Sequence, residues 1–175
     1  MKTLSPFFPD PDPNIETEVR AILMNHYAPI YKARVNSFLD TSLAIEPFAG
    51  RFDFLRSSIS EDIFNQHAAI LISGFGMGSE MIMARRFGFV KVFGVEVEQI
   101  LVEATKMRLS KYTDMHPSFY EGKYLPFEDG LFNVVASGHV IEHTMDPRLY
   151  LKEIFRVLIP GGYLLLEFPH RYHMI

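Results

Sequence analysis

Three glycines alternate in the segment ISGFGMGSE, at Gly74, Gly76 and Gly78, between a short apolar run and a stretch with helical spacing. A strand-to-helix turn at the edge of a parallel sheet brings bare backbone and a helix N-terminus to one place, so a ligand can approach where no Cβ intervenes. Without a ligand the same residues make a tight turn and nothing more. A dinucleotide fingerprint wants its third glycine at the sixth position of G-x-G-x-x-G, so that helix and strand pack closely beside the pyrophosphate. Here that position is Ser79 and the extra glycine falls at 78, which counts against a nicotinamide dinucleotide and suits a nucleoside without phosphates. Glu96 ends the run KVFGVE, eighteen residues past Gly78. That is about the spacing at which an acidic side chain meets a ribose bound over such a loop, where one carboxylate accepts from both hydroxyls. Glu98 reads equally well as a charge beside the N-terminus of the following helix.

The elements that must position these residues follow from hydrophobic periodicity. Short apolar runs, AAILIS, KVFGVE, SFYEG, FNVVAS and GYLLLEF, read as buried strands. Helical stretches at roughly 78–87, 98–111 and 147–158 separate them, the last opened by Asp146 as N-cap and Pro147 in the first turn. Strands alternating with helices imply right-handed βαβ units, hence an α/β fold with a mostly parallel, Rossmann-like sheet and flanking helices. The first third differs. Residues 1–13 are rich in Pro and Asp and read as an extended arm. From Asp12 and Pro13, Ile15, Val19, Ile22, Leu23, Tyr27, Ile30 and Tyr31 recur at helical spacing, which predicts one long amphipathic helix to about residue 38. Residues 40–57 show no clear period, and Ser60 with Glu61 and Asp62 suggests the start of a short helix. The expected organisation is a single domain, with residues 1–64 an N-terminal arm and helical cap and residues 65–175 the nucleoside-binding core.

Composition narrows the partners. With 175 residues, 48% of them hydrophobic, the chain can bury one proper core. A net charge of −4 offers no basic face for a phosphate backbone, so no nucleic-acid partner is expected. The absence of Cys rules out disulfides, thiolate nucleophiles and thiolate-held zinc. The opening MKTLSPFFPDPDPN breaks the apolar run a signal peptide needs, and no segment approaches the roughly 20 apolar residues of a spanning helix. A cytoplasmic protein without a membrane partner is the expectation.

Taken together, ILISGFGMGSE, VFGVEVEQ, YEGKYLPFEDGLFNVVASGHVIEH and RVLIPGGYLLLEFP resemble the class I S-adenosylmethionine-dependent methyltransferases, in particular the group with LPF and PGG signatures. The resemblance covers about residues 68–169, in four segments of the right order and spacing. It implies S-adenosyl-L-methionine as cofactor, with Gly74, Phe75, Gly76 and Gly78 passing under its methionine and ribose. Glu96 and Val97 would lie at the ribose, Glu121 and Gly122 at the adenine, and Ser137 and Gly138 at the methionine carboxylate and transferring methyl. Leu125 and Phe127 read as core anchors or site residues. His139, just beyond the fourth strand, is the candidate base for a hydroxyl acceptor, since a group titrating near neutrality suits that task. Were the segment helical, His143 would share its face, but two histidines without a third ligand make no metal site, and none is expected. Tyr27 and Tyr31 read either as core or as a lid over the acceptor.

The resemblance also has departures. The family often carries an acid two residues before its first glycine, where Ile72 stands here, and Asn133 replaces the common Asp after Phe132. The antiparallel hairpin that usually follows the fifth strand is missing, so GYLLLEF would leave a bare sheet edge. A fragment of a longer protein, a homodimer through that edge, or coverage by the N-terminal helix would each account for it. On the first, His170, Arg171 and His173 begin the loop after the fifth strand. The implied function is methyl transfer to a small-molecule acceptor, with oxygen the candidate atom. The alternatives are a non-catalytic cofactor-binding relative and a nicotinamide-binding Rossmann domain.

Overall fold

The computed structural model describes residues 8–59, 63 and 67–169. The expected helix start at residues 60–62, and His170, Arg171 and His173, lie outside them. Helix α1 runs Pro13–Tyr31, and the Asp12 side chain accepts from the Asn14 N–H at 2.8 Å. It stops seven residues short of the expected end. Pro29 removes one backbone donor in the last turns, Lys32 takes φ 50°, and a 3-10 turn at Lys32–Arg34 folds helix α2, Val35–Leu43, back along α1. Tyr31 stacks on Phe38 with centroids 4.0 Å apart, and Tyr27 meets Phe38 edge-on at 5.0 Å. The apolar spacing identified the buried face correctly; the chain simply reverses within it. Helix α3, Ala49–Ser58, completes the cap.

The core is a five-stranded, wholly parallel sheet in the order β3-β2-β1-β4-β5. Its strands are β1 (Ala69–Ser73), β2 (Lys91–Glu96), β3 (Met115–Phe119), β4 (Phe132–Gly138) and β5 (Leu158–Glu167). Helices α4 (Ser79–Arg86), α5 (Gln99–Arg108) and α6 (Pro147–Val157) connect them. Successive side chains of β1 point to opposite faces. Ile70 and Ile72 join the layer with α3, α4 and α5, while Ala69 and Leu71 join the layer with α6. Each face of the sheet is thereby covered, as parallel sheets require.

Two strands differ from their expected limits. The third lies at 115–119, ahead of SFYEG, and contains Pro117, which an edge strand tolerates because one side of its ladder is unpaired. The fifth begins at Leu158, directly after α6, with a register shift opposite Phe132 and Val134. Asn133, which stands where the family commonly has Asp, is structural: its Oδ1 accepts from the Ala69 N–H at 2.9 Å, tying β4 to the start of β1. Leu125 and Phe127 anchor the core. Leu125 is buried and its N–H donates to Glu153 Oε2, Arg156 donates to the carbonyls of Leu125 and Phe127, and the Phe127 ring meets Phe132 edge-on at 4.9 Å.

Register brings the C-terminal ends of the strands level. Ser73 pairs with both Val95 and Ser137, and Glu96 pairs with Phe119. The segments after β1, β2, β3 and β4 therefore emerge along one edge, where α/β sheets bind ligands. The cap docks over that edge through Val19, Leu23, Tyr27 and Leu39, which pack on Met77, Leu101 and Ala104. Helix α1 thus lies against α5 and leaves the β5 edge alone, so the N-terminal helix does not cover that edge. Among the described residues β5 pairs on one side only, and no helix is long and apolar enough to cross a membrane.

Candidate functional site

The glycine loop leaves β1 by a hydrogen bond from the Gly74 N–H to Val95 O at 2.9 Å and closes by one from Gly78 to Phe75 O at 2.9 Å. Its glycines have different reasons. A Cβ on Gly74 would lie 2.3 Å from Val140 Cγ2, and one on Gly78 would lie 2.7 Å from Thr105 Cγ2, so packing excludes both. Gly76, at φ 53°, faces open space with nothing within 4 Å. Its glycine is required by the backbone conformation, and the room above it is room for a ligand. Arg108 holds the far side of the loop. It is 2% exposed and donates to Met77 O at 2.7 Å, Ser79 Oγ at 2.7 Å and Leu43 O at 2.8 Å, with its Nε on Glu16.

Glu96 is buried at the end of β2 and engages the loop directly. Oε2 accepts from the Gly76 N–H at 3.0 Å, and Oε1 accepts from Val97 and Glu98 N–H at 2.7 and 3.3 Å. An ionised carboxylate offers about four lone-pair sites, so capacity for a ligand hydroxyl remains. Val97 is 53% exposed beside it, and a Cβ on Gly122 would stand 3.4 Å from Val97 Cγ1. Glu121 is exposed in the same turn beyond β3. The structure thus brings Glu96, Val97 and Gly122 to one end of the edge, with bare backbone where a flat ring would pass.

The other end is a cavity of about 260 Å³. Its floor includes Gly74, Phe75, Gly76, Gly138 and His139 from the core, and its roof Tyr27, Phe38, Phe48 and Arg51 from the cap. Tyr27 is a buried cap residue, as the core reading has it, and it also lines the cavity. Its hydroxyl donates to Glu98 Oε2 at 3.0 Å, while His26 Nε2 lies 3.0 Å from Glu98 Oε1. Burial, then the Glu98 carboxylate, push the Tyr27 phenol well above its ordinary range. Glu98 stands at the N-cap of α5 but its side chain makes no capping bond, because the cap helix takes it instead.

Behind Gly138 lies a charge cluster. Arg51 Nη1 donates to Glu80 Oε1 at 2.7 Å, and its Nε and Nη2 lie 2.9 and 2.7 Å from Glu167 Oε2. Burial, against the pull of Arg51, raises the Glu80 carboxyl above the usual carboxylate range. The guanidinium occupies the space where a Gly138 Cβ would be, 2.5 Å from both Nη atoms. His139 takes φ 56°, with Nε2 at 3.3 Å from Glu167 and Nδ1 at 3.5 Å from Glu142. Ser137 turns inward, its hydroxyl 2.6 Å from Tyr150 OH, which donates to Ser73 Oγ at 2.8 Å; only its backbone borders the edge. His143 ends a 3-10 turn at Ile141–His143, so it and His139 do not share an α-helical face.

Sequence reading named Gly74, Phe75, Gly76, Gly78, Glu96, Val97, Gly122, Gly138 and His139, which all reach this edge. Arg51, Glu80, Glu167 and Arg108 were not named. Arg51 sits in an aperiodic stretch, and Arg108 looks like any solvated helix-end charge until its partners are seen.

Comparison with known proteins gives one family: the model described as "Methyltransferase domain" matches residues 71–166. The demethylmenaquinone methyltransferase of Lactococcus lactis is 40% identical over 74 residues, covering 41% of this chain and 29% of that protein. The 2-methyl-6-phytyl-1,4-hydroquinone methyltransferase of Synechocystis is 27% identical over 155 residues, covering 83% of this chain and 43% of that protein. The chain thus spans less than half the length of either relative. Among solved structures, a SAM-dependent methyltransferase from Aquifex aeolicus superposes with a TM-score of 0.55 at 15% identity, over 85% of this chain and 70% of that one, a likeness of fold.

Proposed function

The chain belongs to the methyltransferase-domain family, whose cofactor is S-adenosylmethionine, and we propose that it carries that cofactor's methyl group to a small, largely apolar acceptor held under the helical cap. The observation that carries this reading is Gly76, at positive φ with open space above it and its N–H on the Glu96 carboxylate. A nucleoside lying along the edge finds bare backbone at Gly76, a buried acceptor at Glu96 and a slot beside Val97 and Gly122. No phosphate is catered for, since a carboxylate occupies the Gly76 N–H.

When bound, the cofactor supplies an electrophilic methyl carbon. The protein's part is to hold, align and dry the reactants, effects that together contribute roughly 7–11 kcal/mol when geometry is good. Tyr27, Phe38 and Phe48 exclude water from the cavity and offer aromatic faces to an acceptor. His139, half-exposed at the cavity floor, is the residue to which we assign the proton of an acceptor hydroxyl, a role supported by its position beside the cavity and by Glu142 and Glu167, 3.5 and 3.3 Å from its ring nitrogens, which would steady the imidazolium. A small, apolar acceptor accords with the relatives named for demethylmenaquinone and hydroquinone substrates; an oxygen atom is the acceptor we favour, on the ground of His139 alone.

Calorimetric titration with S-adenosylhomocysteine tests the reading. One-to-one binding in the micromolar range, with no heat from NAD, supports it; a folded chain that takes up neither ligand overturns it. Glu96→Ala is expected to weaken binding by about 10–100-fold, the equivalent of roughly 1.5–3 kcal/mol of charged hydrogen bonding. Glu96→Gln, whose amide oxygen still accepts from Gly76, should lose less. Equal affinities for all three proteins would move the ribose away from β2.

A further inference from the structure

Ile72 is fully buried in the core, so β1 brings no acid to the cavity. An acid arrives from elsewhere. Glu80, one residue into α4, has a side chain only 5% exposed, yet it lines the cavity beside Gly74 and Gly138. Its Oε1 takes Arg51 Nη1 at 2.7 Å. Among the described residues no side-chain oxygen is both sealed and unpartnered, so Glu80 Oε2, which has no hydrogen bond there, is not sealed off, and Glu80 is one of the residues that line the cavity. Arg51 is shared between Glu80 and Glu167. Two carboxylates share one guanidinium, and the neighbouring His139 ring lies against Glu167 at 3.3 Å, so Glu80 has only part of one countercharge. A buried charge without full compensation calls for a partner of opposite sign.

Strand order says which part of a ligand comes here. A nucleoside with its ribose at Glu96 on β2 and its base beyond β3 directs its remaining arm across β1 towards β4. Those strands are two spacings apart, about 10 Å, and the cavity lies at their far end. We propose that Glu80, held in place by Arg51, binds the α-ammonium of the cofactor's amino-acid arm. This rests on the methyltransferase reading above and adds a ligand group to it. Glu80 makes the contact; Arg51 is a positioning residue, fixed in turn by Glu167.

Ligand series on the intact chain test it. S-adenosylhomocysteine carries the whole amino-acid arm, its desamino analogue has hydrogen in place of the ammonium, and methylthioadenosine lacks the arm. The unaltered protein is expected to bind S-adenosylhomocysteine about 10–100-fold more tightly than the desamino analogue. Glu80→Gln should erase most of that gap while leaving methylthioadenosine affinity unchanged, a split that a merely structural role would not give. Glu80→Gln weakening all three ligands equally, or an unaltered protein that binds the desamino analogue as tightly as the parent, overturns the proposal. The second outcome needs no variant to fold. If the unaltered protein binds none of the three, the methyltransferase reading itself fails, a result distinct from either of these.

Discussion

Gly76→Val yields a folded protein whose affinity for S-adenosylhomocysteine falls by more than about 100-fold, or roughly 2.8 kcal/mol. Two effects converge on one residue. At φ 53° a β-branched side chain is strained, by about 1–3 kcal/mol. A domain of ordinary stability, about 5–15 kcal/mol, survives that. A Cβ there meets nothing in the protein within 4 Å, so the side chain has room in the fold. It projects instead into the room that the ligand needs. Gly88, just past α4, is the matching control: it has φ 116° and the same empty surroundings, but lies away from the sheet edge. Gly88→Ala should cost stability and leave affinity intact. A Gly76→Val protein that binds normally would remove the loop from the site.

Arg108→Met is expected to cost the most stability, about 3–5 kcal/mol, the range found when one partner of a buried ion pair is removed. Met77 O and Leu43 O lose their donor, and Glu16 loses its countercharge. For a chain of this size that corresponds to a fall in Tm of about 6–20 °C. Arg108→Lys should recover only part of the loss, because one ammonium cannot span acceptors arranged around a planar fork. The same residue joins α1, the end of α2 and the glycine loop, so thermal unfolding of the cap and loss of ligand affinity should move together. A Tm within about 2 °C of the parent would show that the cap is held by its apolar contacts alone.

The fold was legible where local pattern and tertiary role coincide. β1 is apolar at every position but Ser73 and buried at every position; α6 announces itself with Asp146 and Pro147, and Asp146 does cap it. The cap was legible only in part. The apolar stripe of α1 continues into α2, and periodicity cannot see that Lys32 reverses the chain between them. The third strand was expected three residues late because Tyr120 is apolar for reasons of packing beyond the ladder, whereas Pro117 sits inside it. At the site, the glycines and Glu96 were readable because a short turn and a strand end keep them close in sequence or in register. Arg51 and Glu80 are 29 residues apart, and Arg51 and Glu167 are 116 apart. Their meeting depends on how α3 lies on the sheet, which no local spacing encodes.

His139 carries a cost that a screen for robustness would find. A non-glycine residue at φ 56° spends conformational energy that glycine would not, and here its position at the end of β4 is held by a hydrogen bond from its N–H to Glu167 O at 2.8 Å. Selection for heat tolerance alone should therefore drift towards His139→Gly, gaining about 1 kcal/mol while discarding the imidazole at the cavity floor. Retention of histidine under selection for turnover, and its loss under selection for heat resistance, would mark this position as one where durability and chemistry compete.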